Sequence, residues 1–477
     1  MNAKYGYLRK ALLSGICLSG MIVGSPAWAD DPADPPPAAT PGSGVGLYDK
    51  DGIKLQFDFA GGAGVFAVNN ARMGAGVTSL ADGKRTSQPR WFEAYVKPGL
   101  SGSVDSGAIG TFYGNVAVIG TTTQGDGDAV SATGTQFTHG GVSHGDIERL
   151  AAGWKSGALL PQADAINLSV GRQDFVLGDG FLLADGNADT GKEGGYWFGA
   201  RSAWVNSTIA RLQWDPVHAD VFWLKTDRDS GNMNIQGANL EAKKDGLGTI
   251  GAAYMLVTND DASRSGLVGS DGVSSLRKGM NVFDVRAQGT PLPMVPDLFV
   301  SAEYVKEKNT SEGHKLDADA WYGEIGYTLS ALPWKPSFSY RYAHFSGDDA
   351  ASSNQSEAFD PLRYSMVRGW GSYFHGEVAG QYLLFNSNEN LHMLHATVNP
   401  LDNVQLGAIY YDFDVDQAAG GGSKNFGHEI DLHVDWGVNS WLSISGVYGR
   451  LMPDANAKST YGNDPMEVFE LISMVKF

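Results

Sequence analysis

The sequence is poor in cysteine and in charge. Its 477 residues include one cysteine, Cys17, and Asp, Glu, Lys and Arg together make up only 18% of the chain. Beyond Cys17 the chain can form neither a disulfide nor a cysteine-based metal site. After the N-terminal segment there is also no apolar run of about 18 residues, the length that a transmembrane helix needs. A large core or a closed sheet must therefore stabilise the fold.

Basic residues are also scarce, with 35 Lys and Arg against 53 Asp and Glu. The resulting net charge of −18 argues against nucleic acid as a partner. The sequence has no H-E-x-x-H, P-loop or G-x-S-x-G motif, and we expect no enzyme and no cofactor. What is abundant is glycine, with 63 residues, and aromatic side chains, at 11%. This composition is unusual for a cytoplasmic globular protein.

The N-terminus has the three parts of a secretory signal peptide. A basic start is followed by an apolar stretch from Ala11 to Val23 and by the cleavage pattern Ala27-Trp28-Ala29. We therefore predict a signal peptide over residues 1–29. Residues 30–49 are rich in Pro and Asp and predict an extended periplasmic leader. No comparable change of composition follows, so residues 50–477 are predicted to form one domain.

Most of that domain consists of short segments in which apolar and polar residues alternate. Between Gly427 and Trp436, four apolar side chains alternate with Glu429, Asp431, His433 and Asp435. In an outer-membrane barrel the apolar face of such a strand contacts lipid and the polar face lines the lumen. Close to twenty segments are candidates, among them Asp51–Phe59, Ser337–Phe345 and Tyr373–Leu384. The pattern predicts an all-β fold, a single antiparallel transmembrane β-barrel.

The connections between these segments are of two kinds. Tight turns such as Trp214–Val217 are expected at one rim of the barrel. Longer polar insertions are expected at the other rim, at Thr122–Asp146, Asp260–Lys278, Ser346–Arg368 and Asp414–Asn425.

Aromatic residues near strand ends predict interfacial girdles. They are grouped at Tyr196-Trp197-Phe198, at Tyr410-Tyr411 and at Trp436. The C-terminal Phe477 is similar to the signal by which outer-membrane barrels are recognised for insertion. These features predict the outer membrane of a Gram-negative bacterium, with its lipid as a partner.

Several segments resemble those of the outer-membrane alginate-export barrel proteins. Gly171-Arg172-Gln173 is similar to the family's GRQ segment, and Phe374-His375-Gly376-Glu377 to its F-x-G-E strand start. Gly427–Leu432 resembles its E-[LI]-D-L strand, and Met452-Pro453-Asp454-Ala455 resembles its P-G-D-A turn without the glycine. The resemblance extends over residues 147–477. It implies a monomeric barrel of about 18 strands that passes polysaccharide, with periplasmic export components as possible partners.

The resemblance also implies a basic constriction, because each sugar of a polyuronate carries a carboxylate that a guanidinium can bind. Strand parity places Arg341 and Glu324 in the lumen, opposite their aromatic neighbours. Internal ion pairing is the alternative role of such residues. The candidate residues of the lumen are Arg172, Arg201, Arg286, Glu324, Arg341, Arg363, Glu377, Glu429 and Asp431.

Two functions remain open at this point. The first is an alginate-export type channel for an anionic polysaccharide or a related solute. The alternative is a substrate-selective uptake porin for small sugars, organic acids or aromatic compounds. A ladder of arginines would favour the first, and an acidic or mixed constriction narrowed by an inward loop would favour the second.

Metal binding is expected at most in the acidic loops. Asn259-Asp260-Asp261, Gly125–Asp128 and Gly347-Asp348-Asp349 could bind Ca²⁺ loosely, but none has the spacing of an EF-hand. Solvated loop charge is the simpler interpretation. His392 and His395 are three residues apart in a predicted strand and so face opposite sides, which argues against a metal site made by these two.

Overall fold

A computed structural model describes residues 44–78, 83–127, 141–187, 193–228, 231–261, 277–311, 314–349, 354–365 and 376–477. In these ranges 18 strands form one antiparallel barrel. In chain order they are β1 Ile53–Asn69, β2 Arg90–Asp105, β3 Thr111–Gly125, β4 Val142–Lys155, β5 Ile166–Gln173, β6 Trp204–Trp214, β7 Val217–Lys225, β8 Asn234–Lys244, β9 Gly248–Asn259, β10 Asn281–Gly289, β11 Leu298–Ser311, β12 His314–Thr328, β13 Ser337–Phe345, β14 Glu389–Leu401, β15 Val404–Asp414, β16 Asn425–Gly437, β17 Leu442–Pro453 and β18 Met466–Lys476.

Each barrel strand pairs with its neighbours in the chain, and β1 pairs with β18 to close the sheet. The closing register runs from Ala60 opposite Lys476 to Asn69 opposite Glu467. Phe59 and Phe477 exchange backbone hydrogen bonds of 2.8 and 2.9 Å at the end of this seam. Closure leaves the barrel strands without a free edge, which an isolated sheet would expose. The predicted all-β barrel is confirmed.

Other elements are short. A strand over Val45–Lys50 pairs with the beginning of β1, at the end of the segment predicted as a leader. The remaining elements are the strands Val77–Thr78, Arg85–Thr86 and Gln355–Ser356, the 3₁₀ turns Gly107–Ile109, Gly157–Leu159 and Ala419–Gly421, a π-helical turn Gly376–Gly380 and an α-helix Ala455–Thr460. Within the described ranges, no helix combines the length and the apolar character needed to cross a membrane. The predicted signal peptide lies outside these ranges.

The alternation of side chains along the strands has the predicted orientation. On β16, Ile430, Leu432 and Trp436 are exposed on the outer face, whereas Glu429 and Asp431 are buried inside the barrel. The outer face is covered by large apolar side chains along nearly every strand, as contact with lipid requires. The parity predictions for Arg341 and Glu324 are confirmed, since both side chains are buried inside.

The two rims differ as predicted. The first residues of β1 and the end of β18 lie at one rim, which we call the terminal rim. It carries short turns, including Asp215-Pro216 between β6 and β7. The opposite rim, the loop rim, carries the longer connections, the longest of which join β5 to β6 and β13 to β14.

Two predictions of secondary structure and one of an aromatic girdle are wrong. The predicted strand Tyr373–Leu384 contributes instead the π-helical turn Gly376–Gly380, because its described residues are almost all buried and offer no face to lipid. Strand β1 extends to Asn69, ten residues beyond the end of the predicted strand Asp51–Phe59. Tyr196-Trp197-Phe198 belong to no girdle, since they lie in the loop before β6, where Trp197 and Phe198 pack inside the barrel.

Candidate functional site

Two connections at the loop rim fold back into the barrel instead of extending away from it. The first loop joins β5 to β6 and is described over 174–187 and 193–203. The second loop joins β13 to β14 and is described over 346–349, 354–365 and 376–388. Most of their apolar side chains are buried and belong to the same cluster as inward residues of the strands. We call the described parts of these two loops the plug.

The two loops hold each other by backbone hydrogen bonds. Leu183 and Arg363 form a parallel bridge, and the amide of Ala184 donates to the carbonyl of Arg363 at 2.8 Å. The Arg363 guanidinium also binds Asp185, at 2.6 Å to its carbonyl oxygen and 3.0 Å to its carboxylate. Burial raises the pKa of Asp185 to about 6, although Arg363 opposes the shift. Arg363 therefore joins the two loops and does not point into open lumen.

Aromatic packing attaches the plug to the barrel wall. Phe181 lies at the centre of an aromatic cluster, with ring centroids 5.4 Å from Tyr322, 5.7 Å from Phe345 and 6.4 Å from Phe359. Phe359 comes from the second loop and the other two from β12 and β13, so this ring of the first loop contacts both the second loop and the wall. Burial of such rings contributes substantially to the docking of a loop.

Carboxylates of the wall accept hydrogen bonds from plug backbone amides. Glu429 on β16 accepts from the amides of Val378 at 2.8 Å and of Ala379 at 2.7 Å. Its neighbour Asp431 accepts from the amide of Glu377 at 3.1 Å. Gly376 has φ +77°, and a Cβ there would overlap the Glu429 carboxylate, so glycine allows this close approach. Three predicted lumen residues, Glu377, Glu429 and Asp431, are thus brought together, as anchors of the second loop.

The first loop is held in the same way. Glu93 on β2 accepts from the amide of Trp197 at 2.8 Å, and Glu148 on β4 accepts from the amide of Ala203 at 2.9 Å. The Trp197 indole donates to Glu470 on β18 at 2.8 Å. None of these three glutamates was predicted from the sequence, although each lies in a predicted strand. Glu93 and Glu470 bind groups that lie about a hundred residues or more away along the chain, and the partner of Glu148 is nearer but still outside its strand. No local sequence pattern therefore identifies these three glutamates.

The predicted arginines lie in separate ion pairs. Arg172 and Arg201 share Asp146, at 3.7 and 3.4 Å, near the loop rim. Arg341 on β13 binds Glu324 on β12 at 3.0 Å. Arg286 on β10 binds Asp284 and Glu241. Each of the five predicted arginines therefore has a carboxylate partner, as the ion-pair alternative expects, and they form no continuous ladder.

A cavity of about 560 Å³ lies between the plug and the terminal rim. Gly178 and Asp179 of the first loop line it, together with Arg286, Glu303 and Tyr322 of the wall. The Tyr322 hydroxyl donates to Asp179 at 3.1 Å and so connects the wall to the loop at this level. The turn residues Asp215, Pro216 and Asp245 also line the cavity, which places it at the terminal rim. Both signs of charge are present in its wall.

Groups of potential metal ligands were predicted only in the acidic loops. The part of the chain that the structure describes contains no group of three or more His, Cys, Asp or Glu side chains arranged to hold a metal ion. The segment Gly125–Asp128 is described only as far as residue 127. Loose Ca²⁺ binding by the acidic loops stays a prediction.

The sequence profile described as alginate export matches residues 142–453, more than half of the chain. The chain belongs to the alginate-export family. No protein with a curated function matches it in sequence. Together with the closed barrel, membership of this family identifies an outer-membrane channel of a Gram-negative bacterium. The short turns of the terminal rim then face the periplasm and the longer loops face the exterior.

Solved structures support the fold of this family member. Acinetobacter baumannii OccAB2 is 12% identical, with a TM-score of 0.55 over 90% of this chain and 99% of that chain. Pseudomonas aeruginosa OccK1 (OpdK) is 10% identical, with a TM-score of 0.53 over 89% of this chain and 98% of that one. Pseudomonas aeruginosa OpdQ is 12% identical, with a TM-score of 0.52 over 89% and 98%. At these identities the likeness concerns the barrel fold alone.

Proposed function

We propose that this alginate-export family member is a substrate-selective, non-enzymatic outer-membrane channel for small solutes and that it prefers cationic or neutral solutes to anionic ones. The observation that carries the proposal is the plug, whose two loops fill the barrel above a cavity of small-molecule size. An extended polysaccharide requires a continuous passage, whereas a small solute requires only a local displacement of one loop. Cavities of a few hundred Å³ are typical of small-molecule sites.

The charge of the interior supports the preference for cations. Among the described residues, buried acidic side chains far outnumber buried basic ones. The acidic ones are Glu93, Glu148, Asp179, Asp220, Glu241, Asp284, Glu303, Glu307, Glu324, Asp360, Glu377, Glu389, Glu429, Asp431, Asp435 and Glu470, and the basic ones are Lys97, Arg201, Arg211, Arg277 and Arg341. Rings of carboxylates favour cations in channels, because they lower the electrostatic energy of a cation in a narrow lumen.

Passage of an anionic polysaccharide is the second candidate, and family membership favours it. A basic patch at the terminal rim could meet such a polymer, since Lys243, Lys244 and Arg286 line the cavity. However, Asp215, Glu241, Asp245 and Glu303 line it as well, so its charge is mixed. A polymer would also have to displace both loops of the plug.

Single-channel recording in a planar bilayer under a KCl gradient tests the proposal. We expect a reversal potential of the sign that K⁺ permeability gives, and no block of the current by a short oligouronate. Glu241→Gln should reduce the K⁺ preference, because Glu241 lines the cavity. Glu467→Gln, on the outer face of β18, is the matched control and should leave it unchanged. A Cl⁻-selective current that is blocked by the oligouronate would reverse the order of the two candidates.

A further inference from the structure

Two histidines on the inner face of the barrel approach each other from strands β14 and β16. His395 on β14 and His433 on β16 have their Nε2 atoms 3.4 Å apart, with ring centroids 5.6 Å apart. The strand between them, β15, presents Gly407 at this level, and a Cβ there would overlap the His433 ring. The absence of a side chain at position 407 therefore lets the two imidazoles meet.

The His433 ring is held in one orientation. Its Nδ1 lies 2.8 Å from Asp435 Oδ2, and the other oxygen of Asp435 accepts from the Ser445 hydroxyl at 2.6 Å. With its Nδ1–H assigned as the donor to Asp435, His433 carries a lone pair on Nε2, directed toward His395. A carboxylate behind a histidine in this way is the usual support of a metal-ligating imidazole.

The separation of the two nitrogens fits a shared metal ion better than a hydrogen bond. At 3.4 Å the pair exceeds the range of about 2.7–3.2 Å that is normal for hydrogen bonds to nitrogen donors. Two imidazoles that bind one tetrahedral Zn²⁺ at about 2.0–2.1 Å have their nitrogens roughly 3.3–3.4 Å apart. The inner wall thus already has the bite that such an ion requires.

The charges around the two histidines and the partial exposure of His395 are compatible with a bound cation. The Arg341 guanidinium lies on the neighbouring strand β13, but it is paired with Glu324 at 3.0 Å, which balances its charge. His395 is partly exposed inside the barrel, so water can supply the remaining ligands. Nitrogen donors select borderline divalent ions such as Zn²⁺, Ni²⁺ and Cu²⁺ over Ca²⁺ or Mg²⁺.

We propose that His395 and His433 form a luminal site for one divalent transition-metal ion, supported by Asp435. The site has two protein ligands, so its affinity is lower than that of a site with three or four. It does not depend on the proposed solute preference, because it concerns the wall of β14–β16 and not the cavity between the plug and the terminal rim.

Isothermal titration of the purified, untagged full-length protein in detergent with Zn²⁺ tests the site. All variants should carry His428→Gln, because His428 lies on the outer face 2.9 Å from Asp412 and 3.1 Å from Asp454 and could bind Zn²⁺ there. In this background we expect one binding event that His395→Gln and His433→Gln each abolish. Asp435→Asn should weaken it by about 10- to 100-fold, the usual effect of removing such a support.

His392→Gln is the matched control. It lies on the same strand as His395 but faces outward, where its Nδ1 is 2.7 Å from the Tyr340 hydroxyl. Zn²⁺ affinity should be unchanged in this variant, and heat-modifiable migration in gel electrophoresis should show that every variant is folded. Absence of Zn²⁺ binding in the parent, equal binding in the His395 and His433 variants, or equal loss in the His392 variant would overturn the proposal.

Discussion

At the residue scale, several inward carboxyl groups of the wall act as hydrogen-bond acceptors for the plug. Glu93, Glu148, Glu429 and Asp431 each accept from a backbone amide of an inserted loop. An amide buried away from water must be satisfied, and each of these carboxyl groups supplies an acceptor oxygen. The acidic interior therefore has a structural role in addition to the electrostatic one proposed for conduction.

Glu429→Gln tests this role. Its carboxylate binds two amides of the second loop, and the amide group of glutamine offers only one acceptor oxygen. We expect the docking of residues 376–388 to weaken by about 1–3 kcal/mol, the cost of leaving one buried amide without an acceptor. Hydrogen exchange in these residues should accelerate, while Glu467→Gln on the outer face should not change it. Unchanged exchange in both variants would contradict the anchoring role.

Asp185 makes the contact between the two loops dependent on pH. Because burial raises its pKa to about 6 from an ordinary value of 3.8, the folded state favours the protonated carboxyl. The corresponding stability is fully present below about pH 3.8 and is lost as the pH rises through about 6. The hydrogen-exchange protection factors of residues 182–187, which correct for the intrinsic pH dependence of amide exchange, should thus be higher at pH 5 than at pH 7. Asp185→Asn should flatten this dependence, and a slope of the opposite sign would contradict the assignment.

At the scale of elements, the plug and the barrel are stabilised by different interactions. The barrel depends on a closed ladder of backbone hydrogen bonds and on apolar contact with lipid. The plug depends on aromatic packing and on a small set of amide–carboxylate bonds. Its docking can therefore weaken while the barrel remains intact, as a solute gate requires.

Phe181→Ala should open the plug without unfolding the barrel. Phe181 is 1% exposed and contacts rings of the second loop and of the wall, so its truncation should cost about 3–5 kcal/mol of docking free energy. We expect a larger and noisier single-channel conductance, with unchanged heat-modifiable migration. Phe338→Ala, on the outer face with 55% exposure, is the control and should leave the conductance unchanged. Equal conductance in the Phe181 variant and the parent would show that the first loop does not limit the current.

At the scale of the whole molecule, closure of the barrel depends on the pairing of β1 with β18. Phe477 is the last residue of this seam, and its ring stacks on Phe59 with centroids 5.2 Å apart. The two backbone hydrogen bonds between Phe59 and Phe477 and the stacking of their rings lie at the periplasmic end of the barrel. The terminal residue thus contributes to the structure as well as to the predicted insertion signal.

Deletion of Phe477 should reduce the yield of closed barrel in the outer membrane. The deletion removes two backbone hydrogen bonds and one aromatic contact from the seam. The fraction of heat-modifiable protein in isolated outer membranes measures the effect. Phe477→Tyr preserves the ring and the backbone and should restore the yield. If the deletion variant assembles as well as the parent, Phe477 is dispensable for closure.

The barrel follows from the amino-acid sequence, because the alternation of apolar and polar residues is a local property with a period of two. The sequence placed Ile430 outside and Glu429 inside, and it placed the longer connections at one rim. The content of the lumen depends instead on contacts between distant parts of the chain. Tyr196–Phe198 and Gly376–Leu384 contain apolar residues like those of strands, and only their partners on distant strands show that they pack inside.

The same distinction applies to the polar residues. Parity identified Arg341 and Glu324 as luminal, but a charge inside a barrel can be a ligand, an ion-pair partner or an anchor, and the choice depends on residues far away in the chain. Glu429 meets the amide of Val378, and His395 meets His433 only because Gly407 lies between them. Such contacts depend on three-dimensional proximity, which strand periodicity does not encode.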